Sequence, residues 1–320
     1  MRVFISRPVP QGWLHLLHGK VDYEIFPEDR LLSKEELKRH LSEVDGAIVI
    51  LADKIDKEVM DAAPNLRVIS NYAVGYDNID IEEATRRKIM VTNTPDVLTN
   101  ATAELALALL FAVARRVVEG DRFTREGRFE GWSPVLLLGT EIKGKTVGVI
   151  GAGRIGREFA KKAYALGMKV IYYSRTRKEA LDKIGAEFVS LEELLRRSDF
   201  ISIHLPLTPE THHLIGKKEI EMMKPDAILI NTGRGAVIDE MALADALKRK
   251  RIKGAGLDVY EFEPGITRIL LELENVVLTP HIGSATEETR KRMMEVACEN
   301  LLCALEGKTP PNLVNPEVLS

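Results

Sequence analysis

The sequence has little cysteine, few aromatic residues and almost no net charge. Its two cysteines, Cys298 and Cys303, lie in one predicted helix. They cannot build a disulfide framework, so we expect a reducing, cytoplasmic environment. The formal net charge is −3 and aromatic residues make up 6% of the chain, with acidic and basic residues interspersed. This composition lacks the basic and aromatic surface of a nucleic-acid-binding protein, so we expect no nucleic-acid partner.

Long apolar runs are also missing. The most apolar stretch, residues 105–113, is too short to cross a bilayer. No N-terminal stretch has the charged, apolar and small-residue layout of a signal peptide. We therefore expect no membrane partner.

What the sequence does contain is typical of a globular α/β protein. With 320 residues, 45% hydrophobic and 29% charged, the chain exceeds the usual size of a single core and should form two domains. Strand and helix patterns alternate over residues 3–92, and Ser33-x-x-Glu36 is a capping box that starts one helix. This alternation predicts a parallel sheet with helices on both faces. The loops at 51–53 and 72–78 then belong to the ligand-binding edge, at the carboxyl ends of the strands.

Two further helices have predicted starting points. One long helix pattern covers residues 99–125 and should link the domains, and the last helix should open with a capping box at Ser284-x-x-Glu287. Between them, Trp132 stands in an otherwise polar loop. A local packing anchor and an interface or substrate contact explain this tryptophan equally well.

The clearest motif is the glycine turn Gly151-x-Gly153-x-x-Gly156. It follows a predicted buried strand that contains Val147, Val149 and Ile150, and it opens a predicted helix with a periodic apolar stripe. The first glycine allows a tight turn, the second leaves room for a pyrophosphate, and the third lets helix and strand pack closely. Because the free N–H groups of the helix N-terminus face the phosphates, we expect a bound dinucleotide.

The end of the next strand indicates which dinucleotide binds. An NAD site usually has an acidic residue there, which bonds to the ribose hydroxyls. This chain has Ser174-Arg175-Thr176-Arg177 instead. Arginines suit a 2′-phosphate through forked, charge-assisted contacts, so we expect NADP(H) to be preferred, with NAD(H) still possible. A solvated basic turn that discriminates between neither cofactor is the alternative.

Three polar residues follow predicted strands of the second half and should share the cofactor edge: Arg234, Glu263 and His281. Reduction of a 2-keto acid needs a fixed cation for the carboxylate, and the forked guanidinium of arginine suits that task. It also needs an acid that protonates the carbonyl oxygen, which suits histidine. A carboxylate beside the histidine stabilises imidazolium and orients the ring. Each residue taken alone also fits an ordinary surface or turn position.

Six motifs in order resemble the D-isomer-specific 2-hydroxyacid dehydrogenases almost from end to end. They are Val74-Gly-Tyr-Asp-Asn-Ile-Asp80, Gly151 to Gly156, His204-Leu-Pro-Leu-Thr208, Asn231-Thr-Gly-Arg-Gly235, Gly256-Leu-Asp-Val259 and Pro280-His-Ile-Gly-Ser284. Within the family the chain most resembles the glyoxylate/hydroxypyruvate reductases, particularly the archaeal glyoxylate reductases. Phosphite dehydrogenases of the family have a lysine where this chain has Val74, which argues against phosphite as the substrate.

The resemblance implies two doubly wound parallel-sheet domains, with a Rossmann NAD(P)-binding domain over 100–284 inserted in a flavodoxin-like substrate domain. That substrate domain comprises 1–99, with 285–320 packing back on it. The resemblance further implies a homodimer formed through the segment after Thr99, with Trp132 reaching the partner's active site. The expected reaction is reduction of glyoxylate or hydroxypyruvate to glycolate or D-glycerate by NAD(P)H.

The resemblance also implies roles for individual residues. Arg234 binds the substrate carboxylate, His281 is the acid/base and Glu263 is its partner. The residues expected at the substrate are Leu51, Val74, Gly75, Trp132, Arg234 and His281. Those expected at the cofactor are Thr102, Gly151, Gly153, Arg154, Ile155, Gly156, Ser174, Arg175, Thr176, His204, Pro206, Thr211, Thr232, Gly233 and Asp258.

Two other functions are compatible with the sequence. The alternatives are a dehydrogenase for another D-2-hydroxy acid, such as 3-phosphoglycerate or D-lactate, and a non-catalytic NAD(H)-sensing corepressor on the same fold. We expect no metal site, because the His212-His213 pair has no nearby acidic residue or cysteine to complete one.

Overall fold

The computed structural model describes residues 1–320 as two compact units. The first comprises Met1–Leu98 and Ala285–Ser320, and the second comprises Thr99–Ser284. No helix is both long enough and apolar enough to cross a bilayer.

The first unit is built on a five-stranded sheet in which all neighbours are parallel, in the order β2-β1-β3-β4-β5. This is the flavodoxin-like strand order. Its strands are β1 (Arg2–Ile5), β2 (Asp22–Ile25), β3 (Gly46–Val49), β4 (Val68–Asn71) and β5 (Met90–Thr92). Its helices are α1 (Lys34–Leu41), α2 (Lys57–Asp61), α3 (Ile81–Arg86) and α12 (Glu287–Leu305). Every residue of β3 and β4 is buried, as expected for a sheet covered on both faces.

The last helix, α12, returns the chain to this sheet. A Cβ on Gly46 of β3 would lie 2.9 Å from the Leu301 side chain, so the helix packs directly on the strand. The Ser70 hydroxyl of β4 donates to the Ala297 carbonyl at 2.9 Å. The first unit is therefore built from both ends of the chain.

The second unit contains a seven-stranded parallel sheet in the order β12-β11-β10-β9-β6-β7-β8. Its strands are β6 (Thr146–Ile150), β7 (Lys169–Tyr173), β8 (Glu187–Phe188), β9 (Phe200–Ile203), β10 (Ile228–Asn231), β11 (Gly254–Leu257) and β12 (Val276–Leu278). Its helices are α4 (Thr99–Ala114), α5 (Val117–Arg125), α6 (Arg154–Ala165), α7 (Glu179–Asp182), α8 (Leu191–Arg197), α9 (Lys217–Met222), α10 (Glu240–Lys248) and α11 (Arg268–Leu271). Winding reverses between β6 and β9, the switch point where Rossmann folds bind dinucleotides. The predicted fold class is confirmed.

The prediction of a single helix over 99–125 is wrong, because the helix is interrupted between α4 and α5. Arg116 adopts a left-handed conformation with φ 53°. The Ala114 carbonyl at the end of α4 accepts the N–H of Thr140 at 2.7 Å. A distant segment thus takes over a carbonyl that a longer helix would have used, which periodicity along the helix does not reveal.

Of the two predicted capping boxes, one is confirmed and one is wrong. Ser33 and Glu36 bond each other's backbone N–H groups at the start of α1. At α12 the N-cap is Thr286, whose hydroxyl accepts the Thr289 N–H at 3.2 Å, and not Ser284. Both hydroxyl residues suit an N-cap, so the sequence alone does not choose between them.

Candidate active site

The glycine turn joins β6 to α6 in the second unit. Gly151 has φ 94°, which favours glycine, and a Cβ on Gly156 would lie only 2.0 Å from the Gly151 carbonyl oxygen. Gly153 is the N-cap of α6, and no atom lies within 4 Å of a Cβ placed on it. The first turn of α6, from Arg154 and Ile155 onward, contains no acidic residue. A pyrophosphate therefore finds open space and a positive helix end at this turn.

The end of β7 is less uniformly basic than expected. The Ser174 hydroxyl donates to the Thr176 carbonyl at 2.6 Å, which closes a tight turn. Arg175 is exposed on this turn. The other arginine, Arg177, pairs with Asp182 of α7 at 2.8 Å. Arg175 is thus the better placed of the two cations for a 2′-phosphate.

The loop after β9 begins at His204, whose imidazole is buried. Its Nε2 lies 2.9 Å from the Ser202 hydroxyl and its ring packs 5.1 Å from that of Phe159. Burial lowers the pKa of His204 to about 3, so the ring is neutral and structural. Farther along, the Thr211 hydroxyl donates to the Pro206 carbonyl at 2.7 Å and holds the loop in shape.

The loop after β10 carries Arg234 on a braced turn. The Asn231 side chain accepts the Gly233 N–H at 3.0 Å and donates to the Arg234 carbonyl at 3.0 Å. The Arg234 guanidinium donates to the Gly233 carbonyl at 2.9 Å. Thr232 is buried, and its hydroxyl has no hydrogen-bond partner. This bracing role of Asn231 was not predicted, although asparagine commonly bonds the backbone two residues on.

Glu263 follows β11 and His281 follows β12, and the structure brings these two side chains together. The His281 Nδ1 lies 3.0 Å from the Glu263 carboxylate, and about a third of each side chain is exposed. The other carboxylate oxygen of Glu263 accepts the Tyr260 N–H at 3.0 Å. These hydrogen bonds fix the positions of both side chains. They leave the Nε2 of His281, on the opposite side of the ring, available to bind a substrate.

Opposing effects set the charge of Glu263. Burial raises the pKa of this carboxyl, but the hydrogen bond and charge of His281, the Tyr260 N–H and the charge of Arg234 outweigh it and keep the pKa below its ordinary value. Glu263 is thus ionised at neutral pH and accepts from a protonated Nδ1. Because the charge of Arg234 lowers the pKa of Glu263, Arg234 interacts electrostatically with the His281–Glu263 pair.

Asp258 builds the turn that presents His281. Its carboxylate accepts the N–H groups of Ile282 and Gly283, each at 2.8 Å, and the Thr279 hydroxyl at 2.6 Å. Its carbonyl accepts the His281 N–H at 3.0 Å. His281 itself has φ 53°, an uncommon conformation that these bonds maintain. Burial raises the pKa of Asp258, while these bonds partly offset it.

The first unit holds the loops expected at the substrate. The Val74 carbonyl accepts from the Asn93 side chain and the Gly75 carbonyl from the Asn71 side chain, each at 2.8 Å. Their own N–H groups make no hydrogen bond to another backbone group. The Asn78 amide also donates to the Ile50 carbonyl at 3.1 Å, next to Leu51. These asparagines fix both loops, a role that sequence reasoning missed.

Two other predicted residues lie in the second unit. Thr102 of α4 is buried beside Gly283, where a Cβ would lie 3.3 Å from its methyl group. Trp132 is 85% exposed in the loop after α5, which excludes the local packing anchor. Other large apolar side chains in the same loop are also exposed: Phe129, Val135 and Leu138.

Comparison with known proteins identifies the family. Residues 107–283 match the model of the D-isomer specific 2-hydroxyacid dehydrogenase NAD-binding domain. The chain is 54% identical to the glyoxylate reductase of Thermococcus litoralis, over 100% of this chain and 98% of that protein. The chain belongs to the D-isomer specific 2-hydroxyacid dehydrogenase family.

Solved structures agree with this assignment. A protein from Thermus thermophilus is 49% identical, with a TM-score of 0.93 over 98% of this chain and 100% of that one. The NADPH-dependent glyoxylate/hydroxypyruvate reductase of Sinorhizobium meliloti is 32% identical, with a TM-score of 0.87 over 99% of this chain and 98% of that one. The protein is therefore an oxidoreductase with an NAD-binding domain.

The dehydrogenase site fits a dinucleotide on its own geometry. Gly151, Gly153 and Gly156 form a turn that leaves space at the N-terminus of α6. The buried, unpartnered hydroxyl of Thr232 offers a hydrogen bond on the same edge of the sheet. An orphaned buried hydroxyl is costly unless a ligand satisfies it.

Proposed function

We propose that this dehydrogenase reduces glyoxylate and hydroxypyruvate to glycolate and D-glycerate, with NADP(H) preferred and NAD(H) accepted. The observation that carries the proposal is the His281–Glu263 contact of 3.0 Å, with the charge of Arg234 acting on the same carboxylate. Full-length relatives include a glyoxylate reductase and a glyoxylate/hydroxypyruvate reductase, which supports this substrate class.

The cofactor is held by the glycine turn, the N-terminus of α6, the turn at Ser174-Arg175-Thr176 and the loops that contain His204, Pro206, Thr211, Thr232 and Gly233. The proposed cofactor residues also include Thr102, Arg154, Ile155 and Asp258. When bound, the reduced nicotinamide supplies a hydride. The exposed Arg175 supports a preference for the 2′-phosphate of NADP(H).

Arg234 binds the substrate carboxylate. Its guanidinium offers several donors in one plane, and the turn braced by Asn231 limits its movement. Val74 and Gly75 of the first unit are also proposed as substrate-binding residues through their N–H groups, neither of which bonds another backbone group. Leu51 and Trp132 contribute apolar contacts to the substrate. Restraint of these groups before binding lowers the entropic cost of orienting a small acid.

His281 acts as the acid. Its Nε2 donates a proton to the keto oxygen as negative charge develops there, while Nδ1 keeps its hydrogen bond to Glu263. Ionised Glu263 stabilises the imidazolium form and fixes the plane of the ring. The partly exposed position of the pair allows the histidine to regain a proton from water after each turnover.

The quaternary structure and the location of the protein are part of the proposal. The exposed apolar side chains of the loop after α5 support a homodimer in which Trp132 reaches the partner's active site. The interspersed charges and the two free cysteines support a cytoplasmic protein without a nucleic-acid partner.

A direct assay tests the reaction. Purified protein is mixed with NADPH or NADH and a panel of 2-keto acids, and loss of the reduced cofactor is followed by absorbance. We expect the highest kcat/KM for glyoxylate or hydroxypyruvate with NADPH. A higher value for 3-phosphohydroxypyruvate or pyruvate would replace the substrate assignment. Cofactor binding without turnover of any keto acid would favour an NAD(H)-sensing protein.

The His281→Ala variant tests the mechanism. We expect kcat to fall by a factor of at least about 100, because general-acid catalysis typically contributes that much. NADPH affinity, measured by fluorescence titration, should remain within about twofold, because the histidine acts on the substrate. A parallel loss of NADPH affinity would contradict this role.

A further inference from the structure

The residues His212, His213 and Glu261 form a cluster outside the proposed catalytic residues. Their potential ligand atoms all lie within 4.8 Å of one another. The two imidazole rings stack with centroids 4.0 Å apart, and the His213 Nε2 lies 2.7 Å from the Glu261 carboxylate. This acid is not evident from the sequence, since it lies 48 residues from His213. Our expectation that the histidine pair lacks a nearby acid is therefore wrong.

The cluster is held by backbone contacts from several loops. The His213 N–H donates to the Ala236 carbonyl at 2.8 Å, and His213 adopts a left-handed conformation with φ 51°. Histidine tolerates this conformation better than most residues, yet it remains uncommon and marks a constrained turn. The conformation of this loop therefore holds the two imidazole rings side by side.

Glu261 is held equally firmly. Its second carboxylate oxygen accepts the Glu240 N–H at 3.1 Å, and the Glu240 carboxylate accepts the Glu261 N–H at 2.7 Å. The side chain of Glu261 is only 11% exposed and Glu240 is 3% exposed. A ligand carboxylate that is itself hydrogen-bonded is a feature of protein metal sites.

The local charge also favours a cation. The carboxylates of Glu240 and Glu261 are nearly buried, and each accepts the backbone N–H of the other residue. The imidazoles of His212 and His213 lie beside Glu261. A cation beside them lowers the electrostatic cost of burying both acids.

We propose that His212, His213 and Glu261 bind a divalent transition metal ion of the Zn²⁺ class. Two imidazoles and one carboxylate are ligands that Zn²⁺ accepts, and the exposed side of the histidines leaves the fourth position to water. The hydrogen bond between His213 and Glu261 gives way to two metal–ligand bonds. The ion ties the loop after β9 to the segment after β11 that also carries Glu263, and so stabilises the folded protein.

Isothermal titration of the metal-free full-length protein with ZnCl₂ tests the site. We expect one Zn²⁺ per chain and a rise of several degrees in Tm when Zn²⁺ is in excess of Kd, since an ion that binds only the folded state stabilises it. Co²⁺ in place of Zn²⁺ should give the visible spectrum of a low-symmetry nitrogen and oxygen site. A wild-type protein that binds no Zn²⁺, or whose Tm does not change, overturns the proposal.

Variants locate the binding. The His212→Ala/His213→Ala double variant should lose the bound ion, and Glu261→Gln should weaken binding at least about tenfold, because the amide lacks the carboxylate charge. Exposed His15 and His18 offer a matched control, because a His15→Ala/His18→Ala protein should retain full binding. Unchanged binding in the His212→Ala/His213→Ala protein would place the metal elsewhere and overturn the assignment.

Discussion

Two histidines that follow strands of the same sheet have different chemistry because of their surroundings. His204 is half-buried with its Nδ1 away from water, and burial lowers its pKa to about 3, so its ring is neutral. His281 is partly exposed and faces an ionised carboxylate. Residue patterns alone place both histidines near strand ends, and the family resemblance singles out His281 as the acid/base. Their contacts give the physical reason for this difference.

The Glu263→Gln variant tests the carboxylate. The lowered pKa of Glu263 means that this residue is charged throughout the neutral range, so the amide removes a full negative charge beside His281. Imidazolium is then less favoured. We expect the pH above which reduction falls off to move down.

The pH profile of kcat/KM measures this shift. Glu272→Gln, a change at an exposed carboxylate that pairs only with Arg268, is the control and should leave the profile unchanged. A Glu263→Gln profile that coincides with that of the wild type would remove Glu263 from the proton transfer.

The Arg175→Ala variant tests the choice of cofactor. We expect NADPH affinity to fall at least about tenfold, the loss of one charge-assisted phosphate contact, with NADH affinity nearly unchanged. Fluorescence titration with each cofactor measures both values. Arg177→Ala is the matched control, because Arg177 already pairs with Asp182. Equal losses for NADPH and NADH would contradict a role in binding the 2′-phosphate.

At the level of elements, the three glycines of the turn between β6 and α6 have separable roles. Gly151 provides the left-handed turn and Gly156 allows the helix to approach the Gly151 carbonyl. Gly153 faces open space. The motif in the sequence predicts all three together, whereas the structure shows that the backbone requires Gly151 and Gly156 and that Gly153 faces open space.

Alanine substitutions separate these roles. Gly156→Ala should destabilise the protein by about 1–3 kcal/mol, because its Cβ meets backbone that has little room to move. Gly153→Ala should leave Tm nearly unchanged but weaken NADPH binding, since the added methyl group enters the space proposed for the pyrophosphate. Thermal unfolding and cofactor titration measure the two effects. A Gly153→Ala protein with normal NADPH affinity would place the pyrophosphate elsewhere.

Some helix ends can be predicted from the local sequence, and others depend on residues far along the chain. The box at Ser33 and Glu36 forms between residues three apart, so the local sequence is sufficient to predict it. The end of α4 depends on Thr140, a residue far along the chain that bonds the Ala114 carbonyl. Local patterns therefore predict that a helix exists more reliably than they predict where it ends.

At the scale of the whole molecule, the exposed loop after α5 is unusual for an isolated chain. Trp132 is 85% exposed, Val135 71% and Leu138 62%, so their apolar surface faces water unless another surface covers it. A second copy of the chain is the partner that we propose. The loop belongs to the unit that holds Arg234, Glu263 and His281.

Sedimentation analysis tests the homodimer. We expect the wild-type protein to have twice the mass of one chain and the Val135→Glu/Leu138→Glu variant to shift toward the monomer, because two buried charges oppose association. Trp132→Ala should keep the dimer but raise KM for the keto acid. The surface variant Phe188→Glu, a change at another exposed aromatic residue, is the control and should remain dimeric. A monomeric wild-type protein would contradict the proposal.

The sequence by itself determined the α/β class, the glycine turn and the polar residue types that follow β10, β11 and β12. These features depend on near neighbours, because strand and helix periods, turn glycines and strand ends are all local. The family resemblance already implied that His281 pairs with Glu263, and only the tertiary structure decided that Asp258 supports the turn of His281 and that Glu261 lies against His213. Such contacts join residues far apart in the chain, so they depend on how the strands are ordered in the sheet and how their loops pack. The sequence therefore identified which chemical groups are present, and the fold selected which of them act together.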